Sequence, residues 1–215
     1  MGTTWLRILL VVGAWTPAAT VQAQQAININ AELLAAARRG NTETVGSLLE
    51  KGAAINSRNR LGDTVLLLAV KNGERPLAML ALERGADVNQ RNLAGVSPLM
   101  AAAFNGDVEL TRALLERDAD IVPVDRVRKT AMVYAAGNGH TEVLRMLLDR
   151  GVPVNQRYDN DLTALMWAAA YGHDAAVRLL LERGADPALR DNRGKSAGDM
   201  AAETGHARTA ELLRN

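Results

Sequence analysis

The sequence predicts an all-α solenoid, a row of about six stacked helix-turn-helix units joined by β-hairpin-like finger loops. Three observations predict it. Gly40, Gly73, Gly106, Gly139, Gly172 and Gly205 stand 33 residues apart without a slip, and self-similarity at such a period marks a repeat architecture. Nine residues before each glycine stand Ala31, Thr64, Ser97, Thr130, Thr163 and Ser196, five of them hydroxyl residues of the kind that cap helices. Aromatics make up only 3% of a chain that is 48% hydrophobic, so the core is built mainly from Ala, Leu, Val and Met. Ala, Leu and Met are strong helix formers, and Ala lets neighbouring helices approach closely.

The first 23 residues read as an export signal. Arg7 precedes an apolar run from Ile8 to Trp15, Pro17 ends the run, and Val21-Gln22-Ala23 offers small residues where a signal peptidase reads. The run is far shorter than the ~20 residues that span a bilayer as a helix. Cleavage after Ala23 is therefore expected, leaving residues 24–215 in the periplasm or secreted, with no stable membrane span. The chain has no cysteine, which excludes disulfides, thiolate zinc sites and a lipid-modified cysteine. Removing the signal takes away Arg7 and no acid, leaving 24 basic against 24 acidic residues. A net charge near zero gives no general case for a nucleic-acid partner.

Residues 24–215 read as one domain, with repeats at about 28–60, 61–93, 94–126, 127–159, 160–192 and 193–215. Each unit opens with its cap residue; Pro98 behind Ser97 suits the first helical position. Small pairs follow in mid-helix: Ala36-Ala37, Ala69-Val70, Ala102-Ala103, Ala135-Ala136, Ala168-Ala169 and Ala201-Ala202. The glycine then ends the helix in the left-handed conformation. A second helix follows, as over 108–116, 142–149 and 174–182, where Leu114-Leu115, Leu147-Leu148 and Leu180-Leu181 form one apolar stripe with Val108, Val143 and Val177. RGADVN, RGVPVN or RGADPA closes the unit ahead of a turn-rich tip.

In these features the chain resembles the ankyrin repeat family, with its 33-residue period, TPLHxAA helix, GH turn and LLxxGADVN close. The nearest matches are Ser97-Pro98-Leu99-Met100-Ala101-Ala102-Ala103, Gly139-His140, Gly172-His173 and Leu82-Glu83-Arg84-Gly85-Ala86-Asp87-Val88-Asn89, within a likeness running from about Asn28 to Asn215. The consensus histidine of the first helix is replaced by Leu67, Met100, Val133, Met166 and Asp199, and Asp118 stands where other units have Gly52, Gly85, Gly151 and Gly184. The first unit lacks the Thr and carries Arg38 and Arg39, while the last carries Asp199; both read as the polar caps that a stack requires.

Apparent catalytic or ligand motifs dissolve into this register. His140, His173 and His206 are one repeat position seen three times. Stacking separates them by the ~8–10 Å of packed helices, too far for one metal, so turn and helix-start hydrogen bonding is expected of them. Gly194-Lys195-Ser196 lacks the upstream glycine of a phosphate loop, having Leu189 there, and shares its column with Gly62-Asp63-Thr64 and Gly95-Val96-Ser97. Asp159-Asn160-Asp161 begins like a calcium loop, but Leu162-Thr163-Ala164 does not continue it. No nucleophile with a base is legible, so neither an enzyme nor a cofactor is expected.

A solenoid offers an extended concave surface. The resemblance implies that its partner-facing positions are the finger tips, the fourth residue after each cap (Leu68, Ala101, Tyr134, Trp167, Met200) and the pre-glycine residues, which include Phe104, Asn105, Asn138, Ala170 and Tyr171. All aromatics beyond the signal, Phe104, Tyr134, Tyr158, Trp167 and Tyr171, lie in repeats three to five. Aromatic side chains are enriched among the few residues that dominate binding; at helical spacing they equally suit gap filling between helices. The tips repeat an arginine at Arg58, Arg91, Arg157 and Arg190, interrupted by Val124. The tip segments together hold ten bases and five acids, a surface with which an acidic protein associates faster. Family resemblance implies a non-enzymatic protein-interaction module, monomeric unless complexed, that binds another exported protein as scaffold, inhibitor of immunity type, or protector. Binding of peptidoglycan or a small ligand in the groove, or secretion as an effector binding a host protein, are the rival readings.

Overall fold

The structure is a computed structural model that describes the backbone of residues 17–214 and the side chains of Gln25 and residues 28–214. The apolar run Ile8–Trp15 of the expected signal lies outside the described residues. Twelve α-helices occur among the described residues. They are α1 (Pro17–Arg38), α2 (Thr42–Glu50), α3 (Val65–Asn72), α4 (Arg75–Glu83), α5 (Pro98–Asn105), α6 (Val108–Leu115), α7 (Ala131–Gly137), α8 (Thr141–Asp149), α9 (Ala164–Ala170), α10 (Asp174–Glu182), α11 (Ala197–Glu203) and α12 (Ala207–Leu212). The odd-numbered helices pack side by side in one layer and the even-numbered in a second, each pair forming one hairpin of the stack.

The caps have the expected chemistry. The Thr64, Ser97, Thr130, Thr163 and Ser196 side chains each accept from the backbone N–H three residues on, at 3.2–3.3 Å, satisfying a donor that the helix leaves unpaired. Ser196 adds a reciprocal box, its own N–H donating to Asp199 at 2.9 Å. The first unit, with Ala31 in this column, has no such start; α1 runs through it from Pro17. No glycine or proline interrupts residues 18–38, and the expected cleavage point after Ala23 falls inside that helix.

Close packing follows from small residues. Ala36, Ala37, Ala69, Ala102, Ala103, Ala135, Ala136, Ala168 and Ala169 are fully buried between neighbouring hairpins. Ala202, at the same position of the last unit, is exposed, with no described unit stacked on it. Leu33, Leu66, Leu77, Leu99, Leu110, Leu114, Leu144 and Leu147 are also fully buried or nearly so. Replacing such a leucine by alanine costs about 2–5 kcal/mol.

The six helix-ending glycines all have positive φ, 69–82°. Asp118 adopts φ 58° in the column of Gly52, Gly85, Gly151 and Gly184, so the fold keeps the left-handed turn even where the sequence departs from glycine. The histidine expectation needs correction in one part. His140, His173 and His206 precede their helices without a side-chain cap bond. Instead, His140 and His173 reach back one unit to the carbonyls of Phe104 and Gly137, at 3.0 and 2.9 Å. The His173 and His206 rings lie over Gly139 and Gly172, 2.6 and 2.5 Å from where a Cβ would stand.

Five fingers join the hairpins, at residues 56–63, 89–96, 122–129, 155–162 and 188–195. Each is closed by a backbone bond from Asn59, Asn92, Asp125, Tyr158 or Asp191 N–H to the carbonyl four residues on, at 2.8–3.1 Å. No strand forms among the described residues, so the fingers are hairpin-like turns. The Asn59, Asn92, Asp125 and Asp191 side chains each accept two N–H groups of their own finger. Tyr158 cannot, and the fourth finger instead takes a 3-10 turn with Asn160 and Asp161 at φ 58° and 59°.

Neighbouring fingers are stitched laterally, with one gap. Leu93 N–H donates to Leu61, Arg126 to Ala94 and Asn192 to Asn160, at 2.9–3.1 Å. Asn56, Asn89 and Asn155 accept from Asp87, Asp120 and Asp186 N–H of the following unit. Neither bond joins the third finger to the fourth: Val122 stands in the asparagine column and Pro153, which has no N–H, in the donor column. The Arg128–Asp159 ion pair at 3.1 Å crosses there instead.

Candidate functional site

Thr130 and Thr163 start α7 and α9 in register, which places Tyr134 and Trp167, four residues on, side by side on one face of the first-helix layer. Their counterparts Leu68, Ala101 and Met200 are nearly buried, whereas the two rings remain half-exposed. Phe104, at the end of α5, and Tyr171, the residue capping α9, are each 54% exposed. Phe104 meets the Tyr134 ring edge-on at 5.6 Å, and Trp167 lies parallel to Tyr171 at 6.1 Å. His173 also stacks with Tyr171, at 6.3 Å.

Two features give this patch its character. Lys129 Nζ stands 4.8 Å from the Trp167 ring centroid and 5.5 Å from that of Tyr134, within range for attraction between a cation and an aromatic face. Gly137 occupies the position that Phe104 and Ala170 hold in the adjacent units. Its missing side chain leaves a notch, for a Cβ there would lie 3.7 Å from Trp167 and 3.9 Å from Tyr171. The depression measures about 460 Å³.

Tyr134 is held from below. Its hydroxyl donates to the carboxylate of Asp125, which is buried and accepts the Val127 and Lys129 N–H groups at 2.9 Å each. Burial, then the bond to Asp125 and its negative charge, push the phenol well above its ordinary pKa. The ring is therefore neutral and oriented throughout the physiological range.

The other proposed site residues lie elsewhere. Tyr158 is half-buried between fingers three and four, in a cleft of about 350 Å³ shared with Ile121, Val122, Val124, Val152 and Pro153. Burial raises its phenol to about 12, with the Thr130 hydroxyl acting in the opposite sense. The arginine column works partly as stitching. Arg58 and Arg157 donate to the carbonyls of Arg91 and Arg190, both at 3.1 Å, while Arg190 itself binds Gly194 O at 2.7 Å and Asp199 at 3.3 Å. Arg58 and Arg91 line, with Arg126, Leu93 and Val124, a second depression of about 610 Å³ that shares no residue with the aromatic one. The structure thus joins Phe104, Tyr134, Trp167 and Tyr171 and separates them from Tyr158 and the four arginines.

Sequence reasoning left Lys129, Gly137 and the exposed aliphatic tips out of the site. Departure from a repeat column is the signal that could have found the aliphatic tips, since Val122 stands where Asn56, Asn89 and Asn155 stand in other units; the column of Gly137 reads Arg38, Lys71, Phe104, Gly137, Ala170 and Glu203 and carries no such signal. Ser196 caps α11 and Lys195 pairs with Glu203 at 2.5 Å, while Asp159 and Asp161 pair with Arg128 and Arg157. Both segments are finger tips, as expected. Among the described residues no cluster of three metal-binding side chains occurs, and no helix is long and apolar enough to cross a membrane.

A family model described as ankyrin repeats in three copies matches residues 33–125 and 123–191. A search among curated proteins finds no match.

Proposed function

The chain belongs to the ankyrin repeat family, whose repeats mediate protein–protein interaction and are typically non-enzymatic, and on that premise we propose that it is a non-enzymatic binder of another exported protein. In this reading it acts in the periplasm, or once secreted, as a scaffold, an inhibitor of immunity type, or a protector. The observation that carries it is the half-exposed patch of Phe104, Tyr134, Trp167 and Tyr171 around the Gly137 notch. Four rings held by packing and by the Asp125 bond offer large contact area at little entropic cost, the property that makes aromatics dominate interfaces.

Affinity capture from periplasmic extract tests the proposal, using the parent protein and the Tyr134→Ala/Trp167→Ala variant. A stoichiometric protein retained by the parent and lost by a folded variant is the expected result; equal retention would move the site elsewhere. The parallel Trp167–Tyr171 pair, 9° between planes, favours one second reading, a sugar ring laid across both faces. Quenching of Trp167 by peptidoglycan fragments, with no protein captured, would select it.

A further inference from the structure

The five fingers are of two kinds. In the fourth and fifth, every cation has a carboxylate beside it: Arg157 on Asp161 at 3.6 Å, Arg190 on Asp199 at 3.3 Å, Arg193 on Asp191 at 2.9 Å and Lys195 on Glu203 at 2.5 Å. In the first three only Arg128 does, on Asp159. Arg58, Arg60, Arg91, Arg126 and Lys129 have no carboxylate within ion-pair distance among the described residues. The acids these fingers possess are turned inward. Asp63 is buried against Lys71, and Asp125 is spent on its own finger and on Tyr134. Asp87 enters the depression lined by Arg58, Arg91 and Arg126, with one oxygen occupied by the Asn89 N–H.

The same three fingers hold the exposed aliphatics. Leu61, Leu93, Val122, Val124 and Val127 are 42–75% exposed, whereas no large hydrophobic side chain of the fourth or fifth finger is. Unneutralised cations and uncovered aliphatics therefore coincide on one half of the row. They end at the unstitched cleft where Val122 and Val124 meet Val152, Pro153 and Tyr158. In a chain whose total charge is +1, this is a local asymmetry, and such fields steer a partner of opposite sign.

We infer that fingers one to three form a second contact surface, apart from the aromatic patch, that takes an acidic segment of the protein partner, its carboxylates on Arg58, Arg60, Arg91 and Arg126 and an aliphatic side chain in the Val122–Pro153 cleft. This deepens the proposed function and rests on it. A protein segment fits better than an anionic bilayer, because Arg58, Arg91 and Arg126 line a depression between laterally bonded fingers and fingers one to three themselves hold no Trp or Tyr of the kind that marks membrane interfaces.

The test pans a displayed library of random twelve-residue peptides on the parent protein, on Arg91→Glu/Arg126→Glu, and on Tyr134→Ala/Trp167→Ala. Neither arginine side chain bonds to another described residue, so the reversal leaves the stack intact. Peptides rich in Asp or Glu with Leu, Ile or Val are expected on the parent and the aromatic variant, weakened at least tenfold by the charge reversal and by raising salt from 50 to 300 mM. Failure to enrich acidic sequences, or equal binding to the reversed protein, overturns the inference. Phosphatidylglycerol vesicles binding the parent more tightly than any peptide, and lost on reversal, overturn it in favour of a membrane. A captured partner that survives charge reversal but not aromatic replacement sinks this surface alone and leaves the proposed function standing.

Discussion

Val122 and Pro153 face the same cleft at the two positions where the flanking finger pairs place an asparagine acceptor and a backbone N–H. The two departures match. An asparagine at 122 would find no donor opposite, and a donor at 153 would find no acceptor, so the gap between fingers three and four is specified twice. Val122→Asn with Pro153→Ala should therefore couple, the pair being more stable than the sum of the singles by about 0.5–1.5 kcal/mol, the worth of one such bond. Urea midpoints of the four proteins measure it, and strict additivity would show that the fingers do not approach as the neighbours do.

Gly73 and Gly139 separate two costs of replacing a turn glycine. Both have positive φ, 73° and 71°, but a Cβ on Gly73 meets nothing within 4 Å, while one on Gly139 collides with the His173 ring. Gly73→Ala is expected to cost about 1–2 kcal/mol, the backbone strain alone. Gly139→Ala should cost more, through displacement of His173 and loss of its bond to Gly137 O, and Gly139→Val more again. Adding His173→Ala to Gly139→Ala should remove much of the excess. Equal midpoints for the two alanine variants would count against the ring's placement.

The repeat register was legible because its causes are local: a hydroxyl residue caps, a glycine turns, and small residues permit contact. Gly139, Thr163 and Ala168 could each be assigned a role from their column alone. The site was less legible. Whether Tyr134 and Trp167 fill gaps or protrude depends on Gly137, one unit away from Trp167, and on a buried Asp125 nine residues earlier in the chain. Tyr158 shared their chemistry but stands in the Asn/Asp column of the fingers, and that column, not its aromaticity, fixed its place. The histidine bonds were misassigned because a reach of one unit back is invisible within a single unit.

Gly137 offers a case where stability and binding should move in opposite directions. It lies at the end of α7, without positive φ, and a Cβ there would make ordinary contacts with Trp167 and Tyr171. Gly137→Ala should stabilise the fold by about 0.5–1 kcal/mol, since glycine in a helix is that much worse than alanine. The same methyl narrows the notch, so retention of the captured partner should fall. A variant that is more stable and binds unchanged would place the contact outside the notch.

Tyr158 predicts how the fold responds to alkali. Its phenol is raised to about 12 by burial, from an ordinary value near 10 in the unfolded chain, so the folded state favours the neutral form. A raised pKa contributes stability that is complete below about pH 10 and is lost as the pH climbs through about 12. Tyr158→Phe carries no titrating hydroxyl, and its urea midpoint should fall less steeply than the parent's across that window. Some decline should remain, because Tyr134, buried and bonded to Asp125, is raised as well and titrates beyond it. Parallel slopes for parent and Tyr158→Phe would mean that the cleft between fingers three and four is open enough to hydrate the phenolate.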